Sequence, residues 1–226
     1  MTNTRPLLIV FDCDGVLIDS ETIVARAHAD ALAALGCPVT LDDLLLRFTG
    51  VPDREMYPVI EAEWGRRLPP DYDERINTDV ERSYRSDLCA IDGIHETLAR
   101  LEYPVCVASS SSPEKLKLGL GQVGLLERFA PHIFSAHQVA RGKPAPDIFL
   151  FAAAQMGFAP ADCLVIEDSV AGVEAARAAG LGIVGFPGGS HCGDDHSERL
   201  ARAGASTILT DIRDLPDFVR LMLGRR

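Results

Sequence analysis

Six short apolar runs, each about as long as a β-strand, alternate along the chain with longer segments that have the spacing of amphipathic helices. The runs cover residues 7–11, 104–108, 132–135, 163–166, 181–186 and 207–209. Alternating strands and helices form parallel sheets that carry helices on both faces. The pattern therefore predicts an α/β fold whose core is a Rossmann-like parallel sheet.

The interval between the first two runs is too long for one strand–helix–strand unit. Such a unit needs about 30 residues, and this interval has roughly three times that number. Segments 20–36, 41–48, 53–64 and 73–84 within it show helical spacing of apolar residues. We therefore expect an all-helical cap domain at residues 20–88, inserted into a core domain of residues 1–19 and 89–226. Such a cap can cover the carboxyl ends of the strands, where open α/β sheets bind ligands.

Charge and composition limit the possible partners. The 226 residues include 22 Lys and Arg against 33 Asp and Glu, a net charge of −11, and a field of that sign repels nucleic acids and anionic membranes. No apolar stretch approaches the roughly 20 residues that span a bilayer. The six cysteines form no C-x-x-C pair and are typical of buried thiols in a reducing compartment. We expect a cytoplasmic protein with no nucleic-acid or membrane partner.

Acidic residues follow two of the apolar runs. Asp12 and Asp14 come after the first run, and Glu167 and Asp168 come after the fourth. The carboxyl ends of parallel strands meet at one rim of the sheet, so these carboxylates should lie together, where repulsion requires protons or a cation. Oxygen ligands favour Mg²⁺. A D-x-D pair alone is more often an ordinary turn, so the prediction also depends on the other strand ends.

Two further segments supply groups suited to an anion. Ser109 and Ser110 begin a run of four serines directly before a helix start at Ser112-Pro113, which offers hydroxyl and backbone N–H groups. Lys143, one of three lysines in the chain, precedes a proline that favours an extended backbone. Acidic groups, anion donors and a cation thus occur at successive strand ends.

Four segments in this order, FDCDGVLIDSE, VASSSS, GKPAPDIF and VIEDSVAG, resemble the four motifs of the haloacid dehalogenase-like superfamily. The similarity is with the branch of sugar-phosphate phosphatases and β-phosphoglucomutase-like enzymes, which carry a helical cap after the first motif. The resemblance implies that Asp12 is a nucleophile that forms an aspartyl-phosphate and that Asp14 is a general acid/base. It also implies that Ser109 and Lys143 bind the phosphoryl group. Ser110 is a weaker candidate, which would contact phosphate through its backbone N–H, since its side chain fits an ordinary turn hydroxyl equally well.

The same resemblance implies a Mg²⁺ cofactor. Its ligands would be Asp12, the backbone carbonyl of Asp14, and Asp168, with Glu167 in or near the coordination shell. The chemistry agrees, because the repulsion between a carboxylate and a phosphate must be screened before the carboxylate attacks phosphorus. A leaving alkoxide must in turn receive a proton, which Asp14 is near enough to give.

These residues predict a Mg²⁺-dependent phosphoric monoester hydrolase acting on a small phosphate ester, a sugar or sugar-acid phosphate by the resemblance. Two alternatives stay open. A β-phosphoglucomutase-like phosphomutase would carry the same motifs. A non-enzymatic phospho-accepting receiver domain combines similar residue types, although it is shorter and carries its acceptor aspartate after the third strand.

Two other groups of residues are less decisive. Residues 20–90 contain no lysine, so Arg54 and Arg47 are the candidates for binding substrate from the cap, and a solvated helix surface explains either equally well. His191, Cys192 and His196 are residue types found in zinc sites, but they follow two glycines in a loop. A zinc site is the less favoured interpretation there.

Overall fold

The computed structural model describes residues 7–224, in which six strands form one parallel sheet. The strands are β1 (Leu8–Phe11), β2 (Val105–Ser109), β3 (Ile133–Ser135), β4 (Cys163–Glu167), β5 (Gly182–Gly185) and β6 (Thr207–Ile208). Their order across the sheet is β3-β2-β1-β4-β5-β6, and every pairing is parallel. The predicted α/β fold with a Rossmann-like sheet is confirmed, and each predicted strand end lies within one residue of the observed end.

Helices connect the strands on both faces of the sheet. Within the described residues they are α1 (Glu21–Ala34), α2 (Leu41–Phe48), α3 (Asp53–Trp64), α4 (Tyr72–Asp87), α5 (Ile94–Arg100), α6 (Pro113–Gln122), α7 (Leu126–Phe129), α8 (Asp147–Met156), α9 (Val170–Ala179), α10 (His196–Ala203) and α11 (Leu215–Gly224). Ser112 caps α6 through its side chain, at the helix start that the sequence predicts, and Ser169 caps α9 in the same way. From residue 7 to residue 224, no helix is both long and apolar enough to cross a membrane.

Side chains of the central strand alternate between two cores. Ile9 and Phe11 of β1 pack in a core that includes α5, α11 and the helices α1–α4. Leu8 and Val10 pack on the opposite face, with α8 and α9. Successive side chains of a strand point to opposite faces, and this strand is buried on both, so it appears in the sequence as one continuous apolar run. Polar groups are therefore placed at the strand ends.

Helices α1–α4 follow β1 directly and pack on one another. Each buries apolar side chains on one face, represented by Leu32 in α1, Leu44 in α2, Ile60 in α3 and Ile76 in α4. The predicted limits of α2 and α3 match the observed ones, whereas α4 continues three residues beyond its predicted end. The amphipathic spacing in the sequence therefore corresponds to real buried faces.

The chain enters and leaves this helical segment through two adjacent lengths of backbone. The N–H group of Asp19 donates to the carbonyl of Cys89, and that of Ile91 donates to Leu17, both at 3.0 Å. The α6 helix approaches closely at Gly119, where an added Cβ would lie 2.9 Å from a side-chain carbon of Ile18. Both crossings are thus fixed beside the end of β1.

Candidate active site

The ends of β1, β2 and β4 carry polar side chains that meet at one rim of the sheet. Asp12, Ser109, Lys143, Glu167 and Asp168 are each at most 7% exposed. The backbone N–H of Asp12 donates to the carbonyl of Ile166 at 3.0 Å and so ties the end of β1 to β4. Because burying an unpaired charge is costly, the partners of these groups determine what the site can do.

Lys143 links two of the buried carboxylates. Its Nζ lies 2.7 Å from Glu167 Oε2 and 3.0 Å from Asp12 Oδ1. The other oxygen of Glu167 accepts hydrogen bonds from the backbone N–H and the hydroxyl of Ser169, at 3.1 and 2.6 Å. Burial lowers the pKa of Lys143, but the charges of Asp12 and Glu167 raise it above its usual value. Lys143 is therefore an ammonium fixed between two strand ends.

The carboxylates at this rim fit a hard cation. One oxygen each from Asp12, Glu167 and Asp168 lies within 4.8 Å of the others. Burial, followed by repulsion from Glu167, raises the pKa of Asp12 well above its usual value, although Lys143 opposes the shift. Apart from its ion pair with Lys143, the buried Oδ1 of Asp12 accepts no hydrogen bond within residues 7–224. Buried oxygen ligands with excess negative charge suit Mg²⁺.

Hydroxyl groups hold Asp14 at the mouth of the site. Ser20 Oγ donates to Asp14 Oδ1 at 2.5 Å, and Ser111 Oγ donates to Oδ2 at 2.7 Å. Burial raises the pKa of Asp14, but the charge of Lys115 and these hydrogen bonds lower it below its usual value. Lys115 and the two hydroxyl groups thus favour the ionised form of Asp14.

The predicted rim residues surround one cavity of about 420 Å³. Asp12, Asp14, Ser109, Ser110 and Lys143 line it directly. Glu167 and Asp168 are buried beneath this lining. The cavity has the size of a site for a small organic ligand.

Four residues that the sequence analysis missed also belong to this rim. Ser20 and Ser111 hold Asp14, and Lys115 and Glu21 line the cavity. Burial, followed by the charges of Asp14 and Asp168, raises the pKa of Glu21 to about 7. Lys115 could have been recognised from the sequence, because it lies in the first turn of α6. The cap of that helix, Ser112, is the last of the four consecutive serines.

Polar side chains from the helical segment line the opposite side of the cavity. They are His28 of α1, Asp53 and Arg54 of α3, and Asp73 and Asn77 of α4. His28 Nε2 lies 3.4 Å from Asp53 Oδ1. Among these polar groups, the carboxylates of Asp53 and Asp73 and the amide of Asn77 offer hydrogen-bond acceptors to a ligand.

The structure separates the two candidate arginines. The Arg54 side chain lines the cavity, is 69% exposed, and has Glu55 at 3.8 Å as an ion-pair partner. Arg47 instead forms a two-pronged ion pair with Glu63, at 3.0 and 2.5 Å, and is not among the cavity residues. The expectation for Arg47 is therefore corrected, because the last turn of α2 directs this side chain towards α3 rather than the rim.

The loop after β5 also reaches the rim, which the sequence did not lead us to expect. His191 Nε2 lies 3.1 Å from Asp168 Oδ2 and 3.4 Å from Cys192 Sγ. His196 Nε2 lies 2.5 Å from the backbone carbonyl oxygen of Asp168. The loop thus places the His191 imidazole, with the Cys192 thiol beside it, against the side chain of Asp168, and the first residue of α10 contacts the Asp168 backbone.

Comparison with known proteins gives similarity across most of the chain. Residues 7–180 match the family model of haloacid dehalogenase-like hydrolases. The chain is 30% identical over 211 residues to 6-phosphogluconate phosphatase of Escherichia coli K12, covering 93% of each protein. It is 31% identical over 177 residues to the phosphorylated carbohydrates phosphatase of Thermotoga maritima, covering 76% of this chain and 81% of that protein.

Solved structures show the same relationship. A conserved haloacid dehalogenase-like protein of unknown function from Agrobacterium tumefaciens is 40% identical, with a TM-score of 0.86 over 96% of this chain and 99% of that one. A hydrolase of the same family from Deinococcus radiodurans, solved with bound phosphate and sodium, is 33% identical, with a TM-score of 0.78 over 98% of each chain. By its family match and its relatives, this chain belongs to the haloacid dehalogenase-like hydrolases.

Proposed function

We propose that the chain is a Mg²⁺-dependent phosphatase that hydrolyses a small phosphorylated metabolite through an aspartyl-phosphate on Asp12. Its family and its phosphatase relatives make it a phosphoric monoester hydrolase. The observation that carries the finer proposal is the buried group of Asp12, Lys143 and Asp168 beside the carboxylate of Asp14, all at one cavity rim. The phosphate bound in the Deinococcus relative also supports it.

Each rim residue has a role in the proposed reaction. Lys143, with Ser109 and Ser110, binds the phosphoryl group and reduces its repulsion from Asp12. A carboxylate oxygen of Asp12 forms a bond to phosphorus while the bond from phosphorus to the leaving oxygen breaks. Asp14, having taken up a proton, gives it to that leaving oxygen.

The second half of the reaction regenerates the enzyme. Asp14 removes a proton from water, the water oxygen bonds to phosphorus, and the bond from phosphorus to Asp12 breaks. Mg²⁺ would be held by Asp12, Asp168 and the backbone carbonyl of Asp14, with Glu167 beside them, and would neutralise the negative charge of the phosphoryl group. Glu167 also keeps Lys143 in place.

We also propose that residues 20–88 act as a cap domain on a core of residues 1–19 and 89–226. The adjacent backbone crossings at Asp19 and Ile91 support this division. The acceptor groups of Asp53, Asp73 and Asn77 suit the hydroxyl groups of a sugar or sugar-acid phosphate. The six free cysteines support a cytoplasmic location.

The receiver alternative does not fit the sheet. Receiver-type domains have the strand order 2-1-3-4-5, whereas this sheet has the order β3-β2-β1-β4-β5-β6. Asp12 follows the central strand β1 rather than the third strand. A phosphomutase shares the fold, and no feature of the described residues favours it over hydrolysis.

A panel of phosphorylated metabolites tests the proposal. We expect phosphate release from sugar or sugar-acid phosphates with Mg²⁺, none after chelation with EDTA, and recovery when Mg²⁺ is restored. Full activity of metal-free enzyme would contradict the metal requirement. With β-glucose 1-phosphate and a trace of glucose 1,6-bisphosphate, formation of glucose 6-phosphate faster than inorganic phosphate would replace the phosphatase proposal with a phosphomutase.

A further inference from the structure

We propose that His191, Cys192 and His196 form a site for a divalent cation of the zinc type, next to the magnesium site and linked to it through Asp168. The three side chains offer one thiol and two imidazole ligands whose donor atoms lie within 4.8 Å of one another. Thiol and imidazole ligands select Zn²⁺ over Mg²⁺, whereas the acidic group beside them offers oxygen alone. The two sites therefore differ in the cation that each prefers.

The distances agree with a shared cation. In a tetrahedral zinc site, bonds of about 2.3 Å to sulfur and about 2.0–2.1 Å to nitrogen place those two atoms about 3.5 Å apart. Cys192 Sγ and His191 Nε2 are 3.4 Å apart. Asp168 Oδ2 lies 3.1 Å from the same His191 nitrogen and is placed to supply the fourth ligand.

The surrounding contacts orient the ligands. His196 Nε2 lies 2.5 Å from the Asp168 carbonyl oxygen, so this nitrogen carries the proton and Nδ1 is left to bind a cation. Metal-binding histidines commonly donate their second N–H to a carbonyl in this way.

The position of His191 gives the site rigidity. Its side chain is 1% exposed and lies against glycine backbone on two sides. A Cβ added at Gly189 would come within 2.6 Å of the ring, and one added at Gly15 within 2.9 Å. His191 Nδ1 is buried and has no hydrogen-bond partner among residues 7–224. A hydrogen bond at Nδ1 therefore does not explain why this ring is buried.

Because both cations would use Asp168 as a ligand, binding of the second cation should affect catalysis. A cation held by His191 and Cys192 that also recruits Asp168 Oδ2 takes that oxygen away from Mg²⁺. We therefore expect low concentrations of Zn²⁺ to inhibit the Mg²⁺-dependent phosphatase. This site rests on its own geometry, so the cation would bind even if the proposed phosphatase reaction were wrong.

Cobalt binding tests the site without an activity assay. Co²⁺ added to the full-length protein in the presence of excess Mg²⁺ should produce a thiolate-to-cobalt charge-transfer band that saturates at a single equivalent and disappears when Zn²⁺ is added. Cys192→Ser should lose the band, and Cys89→Ser, which removes an exposed thiol outside the site, should retain it. Absence of the band in the wild-type protein, or its persistence in Cys192→Ser, would overturn the site.

Inhibition tests the link through Asp168. Zn²⁺ should inhibit wild-type and Cys89→Ser phosphatase at concentrations at least about tenfold below those needed for Cys192→Ser. Equal inhibition of all three, or a cobalt band with no inhibition by Zn²⁺, would overturn the link.

Discussion

The rim of the sheet and the helical segment hold their charged groups in opposite ways. At the rim, the ammonium of Lys143 is 2% exposed and lies between the carboxylates of Asp12 and Glu167. In the helical segment, the Arg54 side chain is 69% exposed and its partner Glu55 is 3.8 Å away. The proposed catalytic groups are thus fixed charges, whereas Arg54, the proposed substrate-binding group, is free to adjust.

The difference follows from the cost of burial. A buried charge is stable only with a partner in good geometry, which leaves few alternative arrangements. An exposed ion pair contributes little, so an arginine in water adopts many conformations at similar free energy. We therefore expect substitutions at the rim to abolish chemistry, and substitutions in the helical segment to change substrate preference.

The largest effect is expected for Asp12→Asn. The amide keeps the shape of the side chain but cannot attack phosphorus, so turnover should fall by at least about 10³-fold. Rapid quenching with a radiolabelled substrate should trap a phosphoenzyme in the wild-type protein and none in the variant. A labelled variant, or turnover near the wild-type rate, would show that Asp12 is not the nucleophile.

The next effect is expected for Lys143→Met, which removes the ammonium while keeping an unbranched chain. Turnover should fall, and the free energy of unfolding should fall by about 3–5 kcal/mol, because two carboxylates lose their buried partner. Denaturant unfolding measures this change. Arg47→Met is the matched control, since it breaks an exposed ion pair with Glu63 and should leave the unfolding midpoint almost unchanged. If Lys143→Met and Arg47→Met lowered the free energy of unfolding equally, the rim and the helical segment would not differ in how they hold their charges.

A smaller and substrate-dependent effect is expected for Asp14→Asn. The leaving group of an aryl phosphate needs little protonation, whereas an alkoxide needs a proton. The loss in kcat/KM, which reports formation of the phosphoenzyme and not its hydrolysis, should therefore be at least about tenfold greater for an alkyl phosphate than for an aryl phosphate. Equal losses on both substrates would exclude Asp14 as the general acid.

The rim could be predicted from the sequence because its residues adjoin buried strands. Once the apolar runs define parallel strands, residues such as Asp12 and Asp168 are only one or two positions from a known edge, and the sheet brings them together. The hydrogen bond from Ser111 to Asp14 was not foreseen. It joins residues from two strand ends, and its geometry depends on how the backbone turns after each strand.

The positions of His191, Arg47 and Arg54 could not be predicted from the sequence, for a different reason. His191 lies in a loop far along the chain from Asp168, and its contact depends on how that loop folds back. For Arg47 and Arg54, helical spacing predicted both helices correctly, but it does not give the angle at which α2 and α3 pack. That angle directs one arginine to Glu63 and the other to the cavity.

The smallest effect is expected for Arg54→Ala, and it tests whether the helical segment selects the substrate. If this guanidinium binds the distal part of a sugar-acid phosphate, its loss should raise KM for that substrate by about tenfold while kcat changes little. A small aryl phosphate does not reach Arg54, so its KM should stay almost constant. Arg47→Ala is the matched control and should change neither value, because Arg47 is bound to Glu63 away from the cavity. A rise in KM for both substrates, or a similar effect from Arg47→Ala, would mean that Arg54 has no direct contact with the substrate. The selectivity of the enzyme would then reside in the acceptor groups of Asp53 and Asn77.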